Sequence, residues 1–358
     1  MRNKLFKSKT GLFNVATTAL AIGISLTIAF VIIFIVSDDP MNAINALILG
    51  PAQSLRNFGS VIEMMITISF TGLAVCVMFQ ASQFNMGAEG AFFLGAIAAT
   101  AVSTKLALPP YLSIPLSMLA GAVVGGLLCY IPAILKSKLN ASEMVSSLML
   151  NYVSLFLGLF VLNFFLRDPN FGMLASEKID QANKLTQFIP KTRIHTGIFI
   201  VAILIAAVYI LLYKTKTGYN IRCIGNNPKF ANYSGIKVGG AIIAAQVIGG
   251  MIAGLGGSVE ILGIYDRFQW TSLPGYGWDG IIIAILARNK PQYVPLAAFF
   301  LSYLRIGSSI MARVTDVPNE LIVVIQAIMI MLVTATALLG RLKHKYIIKE
   351  AVANGQDA

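Results

Sequence analysis

Residues 144–166 read MVSSLMLNYVSLFLGLFVLNFFL, 23 positions without a charged side chain. At 1.5 Å of rise per residue, a helix needs about 20 apolar residues to cross the ~30 Å hydrocarbon core of a bilayer. The run begins after Glu143 and ends at Arg167, so it reads as one spanning helix. The rest of the chain repeats the pattern. Of its 358 residues, 57% are hydrophobic and 12% charged, and the mean hydropathy is +0.77. An average soluble domain carries about 25% charge. A soluble fold could not clothe its surface from this composition, and a disordered chain would be far more polar.

Further apolar runs are Leu12–Val36, Val61–Gln80, Met86–Thr104, Tyr111–Leu135, His195–Tyr213 and Gly239–Leu262. One more begins near Gly275 and ends at Ala287, followed by Pro291–Met311 and Leu321–Leu339. Together they predict an all-α polytopic membrane protein with about ten transmembrane helices, since lipid-facing backbone must be helical. The first run follows Arg2, Lys4, Lys7 and Lys9, as a signal peptide would. It is too long for one, however, and ends in Ser37-Asp38-Asp39-Pro40 in place of a small-residue cleavage site, so it reads as a retained helix.

Lys and Arg total 27 against 15 acids, a net charge of +12. Ten spans put both termini on one side. The segments then assigned to that side are 1–10, 136–143, 214–240, 288–290 and 341–358. They hold 17 of the basic residues and three of the acids. Basic loops mark the cytoplasmic side, so both termini are expected in the cytoplasm of a cell (inner) membrane protein. The excess charge needs no nucleic-acid partner, because no basic stretch is interleaved with exposed aromatics. Cys76, Cys129 and Cys223, with His195 and His344, give neither a disulfide framework nor metal-ligand spacing.

Gly87-Ala88-Glu89-Gly90 and Gly277-Trp278-Asp279-Gly280 share the pattern G-x-acid-G, each where an apolar run is interrupted. They suggest an inverted repeat of residues 61–166 and 239–339, with broken helices at the midplane. The alternative is that these glycines only allow helices to approach closely. Glu63, Glu89, Glu260, Asp279 and Arg305 fall in or beside spans, where a charge costs at least ~2.5 kcal/mol and should face a cavity or a partner. Glu63 and Arg305 read as surface residues that snorkel, and Trp278 as an interface anchor. Asn151 suits either a helix–helix hydrogen bond or a polar solute.

In the basic segment 214–240, Asn227-Pro228 reads as a helix N-cap followed by proline at the first turn, and Gly235 as a stop. The helix between, Pro228 to Ser234, is too short to persist alone and must pack on its own bundle or on a partner. No G-x-x-x-x-G-K-S/T loop and no nucleophile–base pairing occurs, so the chain is not expected to be an enzyme. ATP-driven transport would need another subunit.

Several segments together resemble a known family. Phe84-Asn85-Met86-Gly87-Ala88-Glu89-Gly90 is similar to the F-N-I/M-G-x-E-G motif of ABC-importer permeases of the branched-chain amino acid/ribose/simple sugar superfamily. Asn140-Ala-Ser-Glu143 and Leu148-Met-Leu-Asn-Tyr152 resemble its nucleoside branch. Gly218–Arg222, Gly225–Pro228 and Ala231–Ile236 resemble its cytoplasmic loop, and Ser258–Gly263 and Pro274–Gly280 its second half. The chain departs at Ser142, where the nucleoside branch usually has Asn, and at Trp278, where Phe is usual.

The resemblance implies a permease subunit that holds no cofactor, with ATP bound by a cytoplasmic ABC ATPase. It also implies a second permease subunit, as homo- or heterodimer, an extracytoplasmic binding lipoprotein and surrounding membrane lipid. Pro228, Lys229, Phe230, Ala231, Asn232, Tyr233, Ser234 and Gly235 would couple to the ATPase. A neutral nucleoside suits hydrogen-bonding and aromatic groups. Phe84, Asn85 and Asn151, with Glu89 and Asp279, are the candidate pathway residues. Other readings are import of simple sugars or branched-chain amino acids, or an ion-coupled carrier using Glu89 and Asp279.

Overall fold

A computed structural model describes residues 37–106 and 108–316, with isolated positions at 23–35 and 323–328. The expected spans Leu12–Val36 and Leu321–Leu339 lie outside the continuously described residues. The helices are α1 (Pro40–Ile48), α2 (Leu55–Gln80), α3 (Ala88–Lys105), α4 (Pro110–Leu139) and α5 (Glu143–Val161, continued by a π-helical turn at Leu162–Leu166). Then come α6 (Gly197–Lys214), α7 (Lys216–Asn226), α8 (Pro228–Tyr233), α9 (Val238–Ile264), α10 (Tyr276–Leu286) and α11 (Val294–Val314). Among the described residues the only β structure is two isolated bridges, Arg167 with Ser176 and Gln187 with His195.

Among the described residues, six helical segments are long and apolar enough to cross a membrane: Leu55–Gln80, Pro110–Leu139, Glu143–Leu166, Gly197–Lys214, Val238–Ile264 and Pro291–Val314. The run expected near Gly275–Ala287 is not a full span. Its helix α10 has 11 residues, about 16 Å, or half the hydrocarbon core. Gly275, at φ +87°, fixes its start, and Arg288 and Asn289, both left-handed, close its end. The basic segment holds a helix the sequence reading did not expect, α7, whose N-cap Thr215 accepts the Gly218 N–H at 3.1 Å.

Two compact units divide the chain. In the first, formed by residues up to Gln53 and from Leu304 onward, Asp39 caps α1 and the Asp316 carboxylate accepts the Ser37 hydroxyl and the Asp38 N–H, both at 2.7 Å. The second, Ser54–Tyr303, contains both G-x-acid-G motifs and the short helix α8. There α9 packs against α4, α3 and α2, and α10 packs on α2. Backbones touch where α3, α4 and α9 meet. A Cβ on Gly125 would lie 2.9 Å from the Gly254 Cα, and one on Gly250 would lie 2.6 Å from the Cys129 Cβ. Small residues permit this approach, which replaces the hydrophobic drive that helices lack in lipid.

The segment between α5 and α6 folds back on the α9–α10 connection. Ser176, Ile179 and Leu185 donate their N–H groups to the carbonyls of Phe268, Asp266 and Leu262 at 2.9–3.0 Å. The Arg267–Asp168 pair at 2.5 Å and the Lys184–Asp266 pair reinforce the contact. At the other end of the α6 strut lie α7 and α8. The Ser82 hydroxyl, just past α2, donates to the Gly225 carbonyl at 2.7 Å.

Candidate functional site

The two G-x-acid-G motifs meet. The carboxylate of Glu89, in the first turn of α3, accepts the backbone N–H of Gly275 at 2.6 Å and that of Gly277. One acidic side chain of the first motif thus caps the N-terminus of the helix that the second motif begins. The α10 dipole favours an acceptor there, and its own Asp279 adds a carboxylate in the first turn. The approach depends on glycine: a Cβ on Gly277 would lie 2.5 Å from the Glu89 nitrogen. The hydroxyl of Tyr276 reaches Glu260 on α9 at 3.4 Å, and Thr67 on α2 donates to the same carboxylate. The start of α10 is therefore held from α3 by its backbone and from α9 by its first side chain.

The start of α3 is held in the same way. The Asn85 side-chain oxygen accepts the Gly87 N–H at 2.6 Å, and its amide donates to Gln246 at 2.7 Å. From α5, Ser147 accepts the Met86 N–H at 2.9 Å. Asn151 accepts the Gly90 N–H and donates to the Met86 carbonyl, both at 3.0 Å. These bonds satisfy backbone groups that a helix start leaves open in a buried setting.

Of the candidate pathway residues, Asn85, Glu89, Asn151 and Asp279 are buried in this frame. Phe84 differs: it is 39% exposed and stacks on Phe79 with centroids 5.0 Å apart. Trp278 is 48% exposed, and a Cβ on Gly275 would meet nothing within 4 Å among the described residues. Glu63 is not a free surface acid, since Arg193 lies 3.9 Å away. Sequence reasoning passed over Ser147 and Gln246. Each is a polar residue within an uncharged run, the signal that singled out Asn151.

The short helix has its expected caps. The Asn227 side chain accepts the Phe230 N–H at 3.0 Å, Pro228 occupies the first turn, and Gly235 turns left-handed at φ +77°. Ala231 is buried with Ile224, Ala241 and Ile242. The other residues from Pro228 to Gly235 are exposed, with Phe230 at 58% and Tyr233 at 90%.

In the segment between α5 and α6, the Arg267 hydrogen bond holds the Asp168 carboxyl below the ordinary aspartate range, and the Lys184 bond does the same for Asp266. His195 is buried there. Its Nδ1 accepts the Gly197 N–H at 3.1 Å, its Nε2 has no partner among the described residues, and burial lowers its pKa to about 4.

Comparison with known proteins adds the family. No solved structure matches the chain. A glucose ABC transporter permease of Haloferax volcanii is 30% identical over 325 residues, covering 88% of this chain and 86% of that protein. A guanosine ABC transporter permease of Bacillus subtilis is 29% identical over 333 residues, 91% and 96% of the two chains. A nucleoside ABC transporter permease of Lactococcus lactis is 27% identical over 331 residues, 88% and 90%. The model of the family described as "Branched-chain amino acid transport system / permease component" matches residues 57–334, a stretch that takes in both capped helix starts, the exposed short helix and the apolar helices that hold them, and the chain belongs to that family.

Proposed function

We propose that this chain forms part of the translocation path of an ATP-driven nucleoside importer in the cell (inner) membrane. The observation that carries the reading is α8, a helix of six residues capped at both ends, anchored by Ala231 and presenting Phe230 and Tyr233 outward. Exposed aromatic rings on a preorganised helix suit docking by a partner protein. In this reading the partner is a cytoplasmic ABC ATPase, and residues 214–240 are the coupling loop. The relatives named for guanosine and nucleosides support the solute.

The proposed topology has ten spans: the six apolar helices, α3, the half-span α10 and the two terminal apolar runs. The distribution of basic residues supports cytoplasmic termini. The shared starts of α3 and α10 support an inverted repeat over 61–166 and 239–339. A second permease subunit completes the path, and an extracytoplasmic lipoprotein delivers solute to the side of residues 167–196. The path runs past Phe84 and the two capped helix starts, framed by Asn85, Glu89, Asn151 and Asp279. Closure of the ATPase pair pushes α8, and the halves rock about these starts. A second reading, sugar import, is favoured by the glucose permease relative.

The test is uptake of labelled guanosine in cells with and without the gene, with excess uridine, ribose or leucine as competitor. Loss on deletion, with competition by nucleosides alone, is the expected result. Uptake in the normal strain that ribose blocks and uridine does not would overturn the nucleoside assignment in favour of sugar.

A further inference from the structure

If α8 receives the push of an ATPase, the helices that begin at the two G-x-acid-G motifs must feel it. The chain itself does not carry it there, since α8 runs on into α9 and not into α3 or α10. Packing offers the route. α8 packs chiefly on α7, and α7 packs in turn on α9 and on α2. At the α2 contact the two backbones touch. A Cβ on Gly225, two residues before the α8 cap, would collide with the Gln80 carbonyl oxygen, and the Ser82 hydroxyl donates to the Gly225 carbonyl at 2.7 Å. From the same place the Gln80 side-chain amide donates to the Asn289 carbonyl, just past α10, at 2.5 Å. Residues 83–87 lead from Ser82 directly into α3.

An independent observation falls on the same spot. Ser82, Arg288 and Asn289 are three of the five non-glycine residues in left-handed backbone among the described residues. Such conformations persist only where the surroundings over-determine them, and they gather at switch regions. Elsewhere α7 and α8 border a void: a cavity of about 360 Å³ is lined by Ile224 and Pro228 together with Lys136, Asn140 and Glu143 of the α4–α5 turn. Displacement is absorbed across a void and transmitted through packed and hydrogen-bonded groups.

We infer that α8 acts on both motif helices through this one junction, and that Ser82 and Gln80 are the positioning residues that carry its displacement, Ser82 toward the start of α3 and Gln80 toward the end of α10. The inference rests on the reading of α8 as the ATPase contact. The competing route is the packing of Ile224 and Ala231 on Ala241 and Ile242 of α9.

The test uses the assembled importer, with its ATPase and binding protein, in proteoliposomes and reads labelled solute taken up per ATP hydrolysed. Guanosine and glucose are both supplied, so the ratio is read on whichever the wild type carries. Ser82→Gly keeps the left-handed backbone and removes the hydroxyl donor. Gln80→Met keeps the side-chain length and removes the amide. Each should lower uptake per ATP severalfold, and the pair together further, with the ATPase still bound and hydrolysing. Gly225→Ala should do the same by forcing α7 off α2, whereas Gly240→Ala, whose Cβ would meet only the Lys237 Cβ at 3.9 Å among the described residues, should not. An unchanged ratio in the Ser82→Gly, Gln80→Met pair overturns the inference, and a fall in Ile242→Ala then assigns the route to α9. Hydrolysis and uptake that fall in proportion in that pair overturn it as well, because transmission sets their ratio. Phe230→Ala with Tyr233→Ala separates this inference from the reading beneath it. Coupling left intact by those two changes removes α8 as the ATPase contact, and the inference with it. Coupling lost there while the Ser82 and Gln80 variants keep the wild-type ratio removes the junction alone.

Discussion

Asn151→Ala tests whether this side chain frames the path or touches the solute. The substitution removes an acceptor from the Gly90 N–H and a donor from the Met86 carbonyl, each bonded at 3.0 Å in a buried site. In a water-soluble core two orphaned backbone groups would cost roughly 2–6 kcal/mol. Between membrane helices, measured hydrogen bonds average ~0.6 kcal/mol and reach ~1.7, so two are worth about 1–3 kcal/mol. A loss near 2 kcal/mol changes the folded-to-unfolded ratio by about 30-fold. It lowers the midpoint of thermal unfolding by roughly 4–8 °C for a body of this size. The assay is thermal unfolding of the purified permease in detergent, beside guanosine uptake by the assembled importer. Asn151→Asp should be at least as harmful, because a second acceptor would then face the Met86 carbonyl. Ser154→Ala is the control, since that hydroxyl bonds the Leu150 carbonyl of its own helix at 2.7 Å. An Asn151→Ala protein that unfolds at the wild-type temperature while uptake is lost would refute the framing role and place the side chain on the solute.

Three further outcomes are expected. Asn227→Ala removes the α8 cap, costing about 1 kcal/mol locally; uptake and solute-stimulated ATPase should fall while the protein remains monodisperse, and unchanged coupling would count against α8 as the contact. Gly277→Ala forces a methyl against the Glu89 backbone and should cut the yield of folded protein sharply. Gly172→Ala, with nothing within 4 Å among the described residues, should leave the yield as it was, and equal yields would refute the close approach. His195 binds a proton below about pH 4 in the folded protein but from an ordinary value of 6.5 in the unfolded chain, so stability contributed by keeping it neutral is full above 6.5 and falls as pH drops from 6.5 toward 4. Hydrogen exchange of residues 185–196 should quicken across that window. Flat protection there would remove His195 from the account, because Asp168 and Asp266, held below the ordinary 3.8, release only at lower pH.

Much of this architecture was legible in the residues. Uncharged runs dictated helices, because lipid gives backbone groups no other partner. Asn227, Pro228 and Gly235 marked α8 to within a residue, because caps and turns are local chemistry between near neighbours. The G-x-acid-G pattern marked the starts of α3 and α10. What local chemistry could not give was partnership. That Glu89 closes the helix begun 186 residues later, that Asn151 and Ser147 hold the start of α3, and that Gln246 pairs with Asn85 are contacts between segments far apart in the chain. The shortness of α10, by contrast, was in the residues: its apolar run stops before Arg288, and left-handed backbone at Gly275 and Arg288 bounds it there. Sequence fixed which groups would be polar in an apolar setting, because burying them unpaired is prohibitive. Only tertiary packing decided which of them satisfy one another.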